Sequence, residues 1–149
     1  MAVGTTQNPP NTIFLGGERT QINDRAASET ITPGHLVELF NNAGVIRFRK
    51  HSTAAVATER LVATEMNMLN KGVDDAYAAN DLVEVSALQG GATAWMLIAS
   101  GQNIVAGQKL ESAGNGTLRA LAAGVALFSA LENKPNVTVQ TRIRVEVVS

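Results

Sequence analysis

At 149 residues the chain has the length of one domain with an appended arm, enough to bury a core of its own. It contains no cysteine, so neither a disulfide nor a thiolate zinc site can supplement that core, and the composition fits a reducing compartment. A formal charge of −1 and a pI of about 6.1 leave no basic excess for gripping nucleic acid.

Charged residues make up 17% of the chain, below the roughly 25% of an ordinary soluble domain, and alanine and glycine fill much of the gap. A surface so poor in charge suits a protein that is covered by partners. The opening Met1-Ala-Val-Gly-Thr-Thr-Gln-Asn-Pro-Pro10 lacks a basic segment followed by an apolar one, so it does not read as a secretory signal. No run approaches the ~18 apolar residues of a membrane span. The expectation is a soluble protein made in a cytoplasm, without a membrane partner.

Residues 1–30 differ in character from the rest of the chain. Pro9-Pro10 forbid a helix, and Ile13-Phe14-Leu15 is the one apolar cluster, with Gly16-Gly17 directly after it. Such a segment cannot bury enough surface to fold alone. It reads as an extended N-terminal arm over 1–30, with Pro9, Pro10, Ile13, Phe14 and Leu15 as contacts to a neighbouring subunit or a larger partner. A disordered tail is the competing reading. Asp24–Glu29 has the composition of a short helical turn.

From Ile31 to the end, residues 31–149, the pattern is that of a β-rich domain. One element occurs three times: Ile31-Thr-Pro-Gly34-His-Leu-Val37-Glu38, Tyr77-Ala-Ala-Asn80-Asp-Leu-Val83-Glu84 and Ile104-Val-Ala-Gly107-Gln-Lys-Leu110-Glu111. Gly or Asn at the fourth place marks a tight turn with φ > 0, and the aliphatic residues after it start a strand. The three glutamates read as outward positions. Val37–Phe40 and Val45–Lys50 alternate around the turn Asn41-Asn-Ala-Gly44, which predicts a hairpin. Arg47, Arg49 and Lys50 form the densest basic patch and read as a solvated strand face.

Ser52–Leu69 suits a helix by propensity, but Leu61-Val-Ala-Thr-Glu65-Met-Asn67 resembles Leu127-Phe-Ser-Ala-Leu-Glu132-Asn133, and both segments are read as strands. Ala94–Ala99 is the most continuously apolar run and predicts a central strand with Trp95 in the core. Asn115-Gly116 between apolar runs is a strong hairpin signal. Val137–Val148 predicts a strand with Val139, Thr141, Ile143, Val145 and Val147 on one face. Ile31–Asn67 and Ile104–Asn133 suggest two loose half-repeats. The fold expected is all-β, a small barrel or sandwich with an extended N-terminal arm.

Chemistry is sparsely represented. His35 and His51 are the two histidines, and Asp74, Asp75 and Asp81 lack the alternate spacing of a calcium loop. No nucleophile elbow, phosphate loop or dinucleotide fingerprint occurs. Glu65 and Glu132 occupy matching places and could serve as acid and base; the simpler reading has them bonding turn N–H groups or pairing with Arg142 or Arg144. No enzyme, metal or cofactor is expected.

Asn70-Lys-Gly-Val-Asp-Asp-Ala-Tyr77, Ala79-Asn-Asp-Leu-Val83, Ala130-Leu-Glu-Asn133 and Arg142-Ile-Arg-Val-Glu-Val-Val148 together resemble features of the capsid decoration (cement) proteins of tailed bacteriophages. The likeness covers residues 31–149 and consists of turn and strand features, with Asn80 where that family carries Gly. It implies a non-enzymatic homotrimer on the outer capsid surface of the virion, at local threefold positions, holding neighbouring major capsid protein subunits together. A head-completion or tail-tube subunit is the alternative within the virion, and a small β-barrel binding module the alternative outside it.

Overall fold

The structure, a computed structural model, describes residues 9–148; residues 1–8 of the expected arm and residue 149 lie outside the described residues. The strands are β1 (Phe14–Gly16), β2 (Arg19–Ala26), β3 (Val37–Asn42), β4 (Val45–Lys50), β5 (Leu61–Ala63), β6 (Leu82–Leu88), β7 (Thr93–Ile98), β8 (Lys109–Gly114), β9 (Thr117–Ala120), β10 (Phe128–Ala130) and β11 (Thr141–Val147). One 3₁₀ turn, Asn67–Leu69, interrupts them. The all-β expectation holds.

The repeated turn explains how the chain enters its strands. Gly34, Asn80 and Gly107 all have positive φ, at 102°, 76° and 87°. In each turn the next residue donates its N–H three positions back: His35 to Thr32, Asp81 to Ala78 and Gln108 to Val105. This is the type II geometry, and Pro33 sits where that turn favours proline. The same residue then closes the turn with its side chain. His35 Nδ1 accepts the Thr32 N–H, Asp81 Oδ2 the Ala78 N–H and Gln108 Oε1 the Val105 N–H. Three chemically different side chains perform one structural task.

Strands β2–β6 form one ring. β2 pairs with β6, β6 with β5 and β3 with β4, all antiparallel. A bridge between Leu36 and Val62 joins β3 to β5, and a parallel bridge between Ala27 and Phe48 joins β2 to β4. Strands β7–β11 form a second ring through antiparallel pairs β7–β11, β11–β10, β10–β8 and β8–β9, closed by a parallel contact of Ile98 with Leu118. In both rings the strands take the order first, fifth, fourth, second, third, with the parallel closure between third and first. The half-repeats Ile31–Asn67 and Ile104–Asn133 are the middle three strands, β3–β5 and β8–β10, of two five-stranded barrels in tandem.

The correspondence extends to single bonds. Glu38 pairs with Arg49 and accepts the Ser52 N–H; Glu111 pairs with Arg119 and accepts the Ala122 N–H. Gly34 donates to Ala63 O as Gly107 donates to Ala130 O, and His51 to Leu36 O as Leu121 to Lys109 O.

The barrels are fused rather than strung. The first encloses Ile31, Val37, Phe48, Val83 and Val85; the second encloses Met96, Ile98, Leu110, Phe128 and Ile143. The second apolar cluster continues outward to Leu36, Val62 and Leu88 of the first barrel. Removing that shared apolar surface from water contributes roughly 25 cal/mol per Å². Arg142, on β11, completes the joint by donating to Pro33 O, Val73 O and Asp74 while its guanidinium lies over the Trp95 ring.

Several local expectations are corrected. Asp24–Glu29 does not form a helical turn: Arg25 and Ala26 pair with Val83 and Leu82 beyond a bulge. Of the two segments read as strands, Leu61–Asn67 is strand only over Leu61–Ala63 and Leu127–Asn133 only over Phe128–Ala130. The helical composition around Ala55 is overridden because Ala55 gives its N–H to Ser112 and its C=O to Val125 of the second barrel. Trp95 is half-buried on the outer face of β7, since Ala94, Met96 and Ile98 take the inner one. Glu111 keeps its outward place beside the inward Leu110 but is wholly buried, unlike Glu38 and Glu84, because the Ala55 and Gly124 backbones cover it.

Candidate functional surfaces

The expected contact residues occupy mixed environments. Pro9 is exposed and Pro10 half-buried. Ile13 is buried in the second barrel's core, its N–H donating to Glu65 Oε1 and its C=O accepting from Trp95. Phe14 pairs with Ala94 in β7 and is covered on one face by the Arg19 guanidinium, 4.3 Å from the ring centre. Leu15 is half-buried. The trio therefore crosses from the first barrel to the edge of the second, and its inner side is spent within the chain. Pro9, Pro10 and the outer faces of Phe14 and Leu15 remain available.

The two carboxylates that matched in sequence match in space. Glu132 accepts the Arg144 N–H and pairs with the Arg144 guanidinium at 3.1 Å. Glu65 takes the Ile13 N–H, and across its strand stands Glu84 instead of an arginine. Burial raises the Glu84 carboxyl above its usual value, and the Glu65 charge adds to that, with Arg19 opposing. Glu65, Glu84 and Arg19 border a polar recess of about 130 Å³. The structure does not bring Glu65 and Glu132 to one site; each ties a different strand.

Other candidate chemistry is similarly committed to structure. His35 is buried and neutral as it accepts the turn N–H, and burial first, then the positive charges of Lys50 and Arg142, hold its pKa at about 4. His51 Nδ1 lies 2.7 Å from the Ser112 hydroxyl. Asp75 closes the Gly72 turn, Asp81 its own turn, and Asp74 meets Arg142. Among the described residues no group of three His, Cys, Asp or Glu is arranged to hold a metal. A shallow recess of about 440 Å³ beside Trp95 is lined by Arg142, each of whose three nitrogens already donates a hydrogen bond. The basic patch is partnered too. Arg47 donates to Asn80, Arg49 pairs with Glu38 and lies over Phe40, and Lys50 faces Glu29.

Unsatisfied apolar surface is what sets the exterior apart. Met68 is 84% exposed and Leu69 66%, on the 3₁₀ turn beside Leu82. Residues 64–76 separate Ala63 from Tyr77 in the first barrel, while only residues 131–133 separate their counterparts Ala130 and Lys134. This apolar turn is thus an insertion that the barrel does not need. A second apolar group, Leu39, Val45 and Ile46, crowns the β3–β4 hairpin, with Leu39 and Val45 at least half exposed. Apolar groups clustered in water are candidate contact surfaces. Sequence reading missed both groups, because a hairpin's alternation does not say which end projects beyond the barrel. The excess of Met66-Asn-Met-Leu69 over its counterpart was the usable signal for the other.

No family model and no curated protein matches the sequence. Among solved structures, the chain is similar to the N base of the head fiber protein gp8.5 of bacteriophage phi29, with a TM-score of 0.58 and 12% identity. The likeness covers 87% of this chain and 94% of that one, so it embraces both barrels. At that identity the likeness is one of fold.

Proposed function

We propose that this chain is a structural protein of a tailed-phage head that binds the outside of the assembled shell and stabilises it. The observation that carries the reading is the fold shared, across both barrels, with the base of a phage head fiber. The decoration-protein features of residues 70–83 and 130–148 point the same way, and they fall on turns and strands of this fold. The reading includes a non-enzymatic role, which is supported by Glu65, His35 and Glu132 each accepting a backbone N–H.

In this reading the chain acts as a homotrimer at local threefold positions and bridges adjacent major capsid proteins. Stabilisation comes from linkage, since a ligand that binds only the assembled shell shifts the equilibrium toward assembly. Three weak contacts engaged together outlast any one of them. The exposed Met68-Leu69 turn and Pro9-Pro10 are the available contact groups.

The test mixes purified chain with expanded capsids of the phage that encodes it. Stoichiometric binding to the outer surface and a higher capsid disruption temperature are expected. Absence of binding overturns the reading. The fiber-base neighbour favours one second reading, in which the chain seats a projecting fiber rather than lying flat as cement. Electron microscopy of the native particle separates the two: a projection above this density supports the base, and bare density supports the decoration role.

A further inference from the structure

The contact between the two barrels uses a feature that both possess and only one satisfies. The β8–β9 hairpin of the second barrel ends in Asn115-Gly116, both with positive φ. Its tip docks on the first barrel where β3 begins and β4 ends. Gly116 accepts the Leu36 N–H and donates to His51 O, and a Cβ at Gly116 would come within 3.0 Å of Lys50 and 3.1 Å of His35. The dock is a closed backbone pair, extended by one step beyond the bond from His51 to Leu36.

In the first barrel the equivalent hairpin tip is Ala43-Gly44, again with positive φ at both residues. Among the described residues nothing docks against it: a Cβ at Gly44 would meet no atom within 4 Å. Leu39, Val45 and Ile46 beside it are exposed. In the second barrel the equivalent of the dock is the bond from Leu121 to Lys109, beside the turn Val105–Gln108. Lys109 is exposed there, Leu121 is 37% exposed and Val105 63%. Among the described residues the chain therefore carries a free tip on one barrel and a free dock on the other, and their mode of joining is already present inside it.

We infer that a second copy of this chain fills the dock: the Ala43-Gly44 tip of one copy seats on the Lys109–Leu121 end of the next. The contact is heterologous, joining different surfaces of identical chains, so repetition of it closes a ring or extends a filament. Apolar groups on both halves supply what the intrachain contact gains from its covalent tether. The inference stands apart from capsid binding and is tested on free protein.

Sedimentation equilibrium of the wild-type chain is expected to give a multimer. Val45→Asp on the tip and Leu121→Asp on the dock are each expected to weaken association about tenfold or more, since each buries a charge at the contact. The decisive measurement mixes the two variants. The V45D copy keeps a sound dock and the L121D copy a sound tip, so the mixture forms one-to-one dimers only if the contact is head to tail and both variants are folded. The sequence lacks cysteine, so Ala43→Cys combined with Leu121→Cys adds the only thiols; oxidation yields chains linked beyond the dimer. A wild-type monomer at all concentrations overturns the inference. So does a multimer that neither aspartate affects, or a mixture that yields no dimer.

Discussion

Glu38 and Glu111 hold the same place in two copies of one barrel, and their surroundings separate what an ion pair costs from what it contributes. Each carboxylate faces an arginine Nε at 3.3 and 3.2 Å, but the Glu38 side chain is 24% exposed and that of Glu111 is 0%. A pair in contact with water contributes about 0–1 kcal/mol; Arg119 is itself 36% exposed, but removing it strands the charge of a wholly buried carboxylate, which costs up to about 3–5 kcal/mol. Arg49→Ala is therefore expected to shift stability by less than about 1 kcal/mol and Arg119→Ala by several times that, measured by urea unfolding. Equal losses would refute the distinction. His35 offers a second comparison, because Gln108 does its work in the third turn. Its folded pKa of about 4 lies below the unfolded value near 6.5, so the unfolded chain takes up the proton first as pH falls. Stability is lost between about pH 6.5 and 4, by at most about 3 kcal/mol from this group. His35→Gln keeps the acceptor for the Thr32 N–H and removes the titration. The variant is expected to unfold with a flatter pH dependence across that window; an unchanged slope would assign the loss to other groups.

At the scale of elements, what could be read from the sequence was what local chemistry determines. The turns at Gly34, Asn80 and Gly107, the hairpins at Gly44 and Gly116 and the central β7 all arise from φ > 0 positions and period-two patterning, which neighbours within a few residues settle. The match of Glu65 to Glu132 was real because each lies just beyond one of two equivalent short strands, β5 and β10. What escaped depends on distant partners. Ala54-Ala55 has helical composition, yet Ala55 is held at φ 69° by bonds to Ser112 and Val125 of the other barrel. Glu111 has the same local sequence context as Glu38, and only the Ala55 and Gly124 backbones packed over it make it internal. Trp95 reads as core in an apolar run, but its place is set by which face of β7 the second barrel closes upon. Ring closure itself had no local signal, since the bridges Leu36–Val62 and Ala27–Phe48 join segments far apart in the chain. Of the candidate surfaces, Ile13-Phe14-Leu15 was visible as an apolar cluster, while its half-burial against β7 was not.

For the whole molecule, the question is whether two similar barrels behave as one body, as the proposed shell-stabilising role requires. Leu36 and Val62 belong by chain position to the first barrel and by packing to the second, and backbone bonds at Gly116, Gly34 and Ser112 cross the joint. Opening one barrel would strand these apolar and polar groups of the other, so partial unfolding gains little entropy for its cost. The chain supplies its own probes, because the single tryptophan, Trp95, lies in the second barrel and the single tyrosine, Tyr77, in the first. Their fluorescence and absorbance changes are expected to coincide in one urea transition. Leu36→Ala, which empties a wholly buried site at the joint, is expected to cost about 2–5 kcal/mol and to move both probes together. If Tyr77 melted ahead of Trp95, the barrels would be independent units, and the joint at Leu36, Val62 and Gly116 would not couple them.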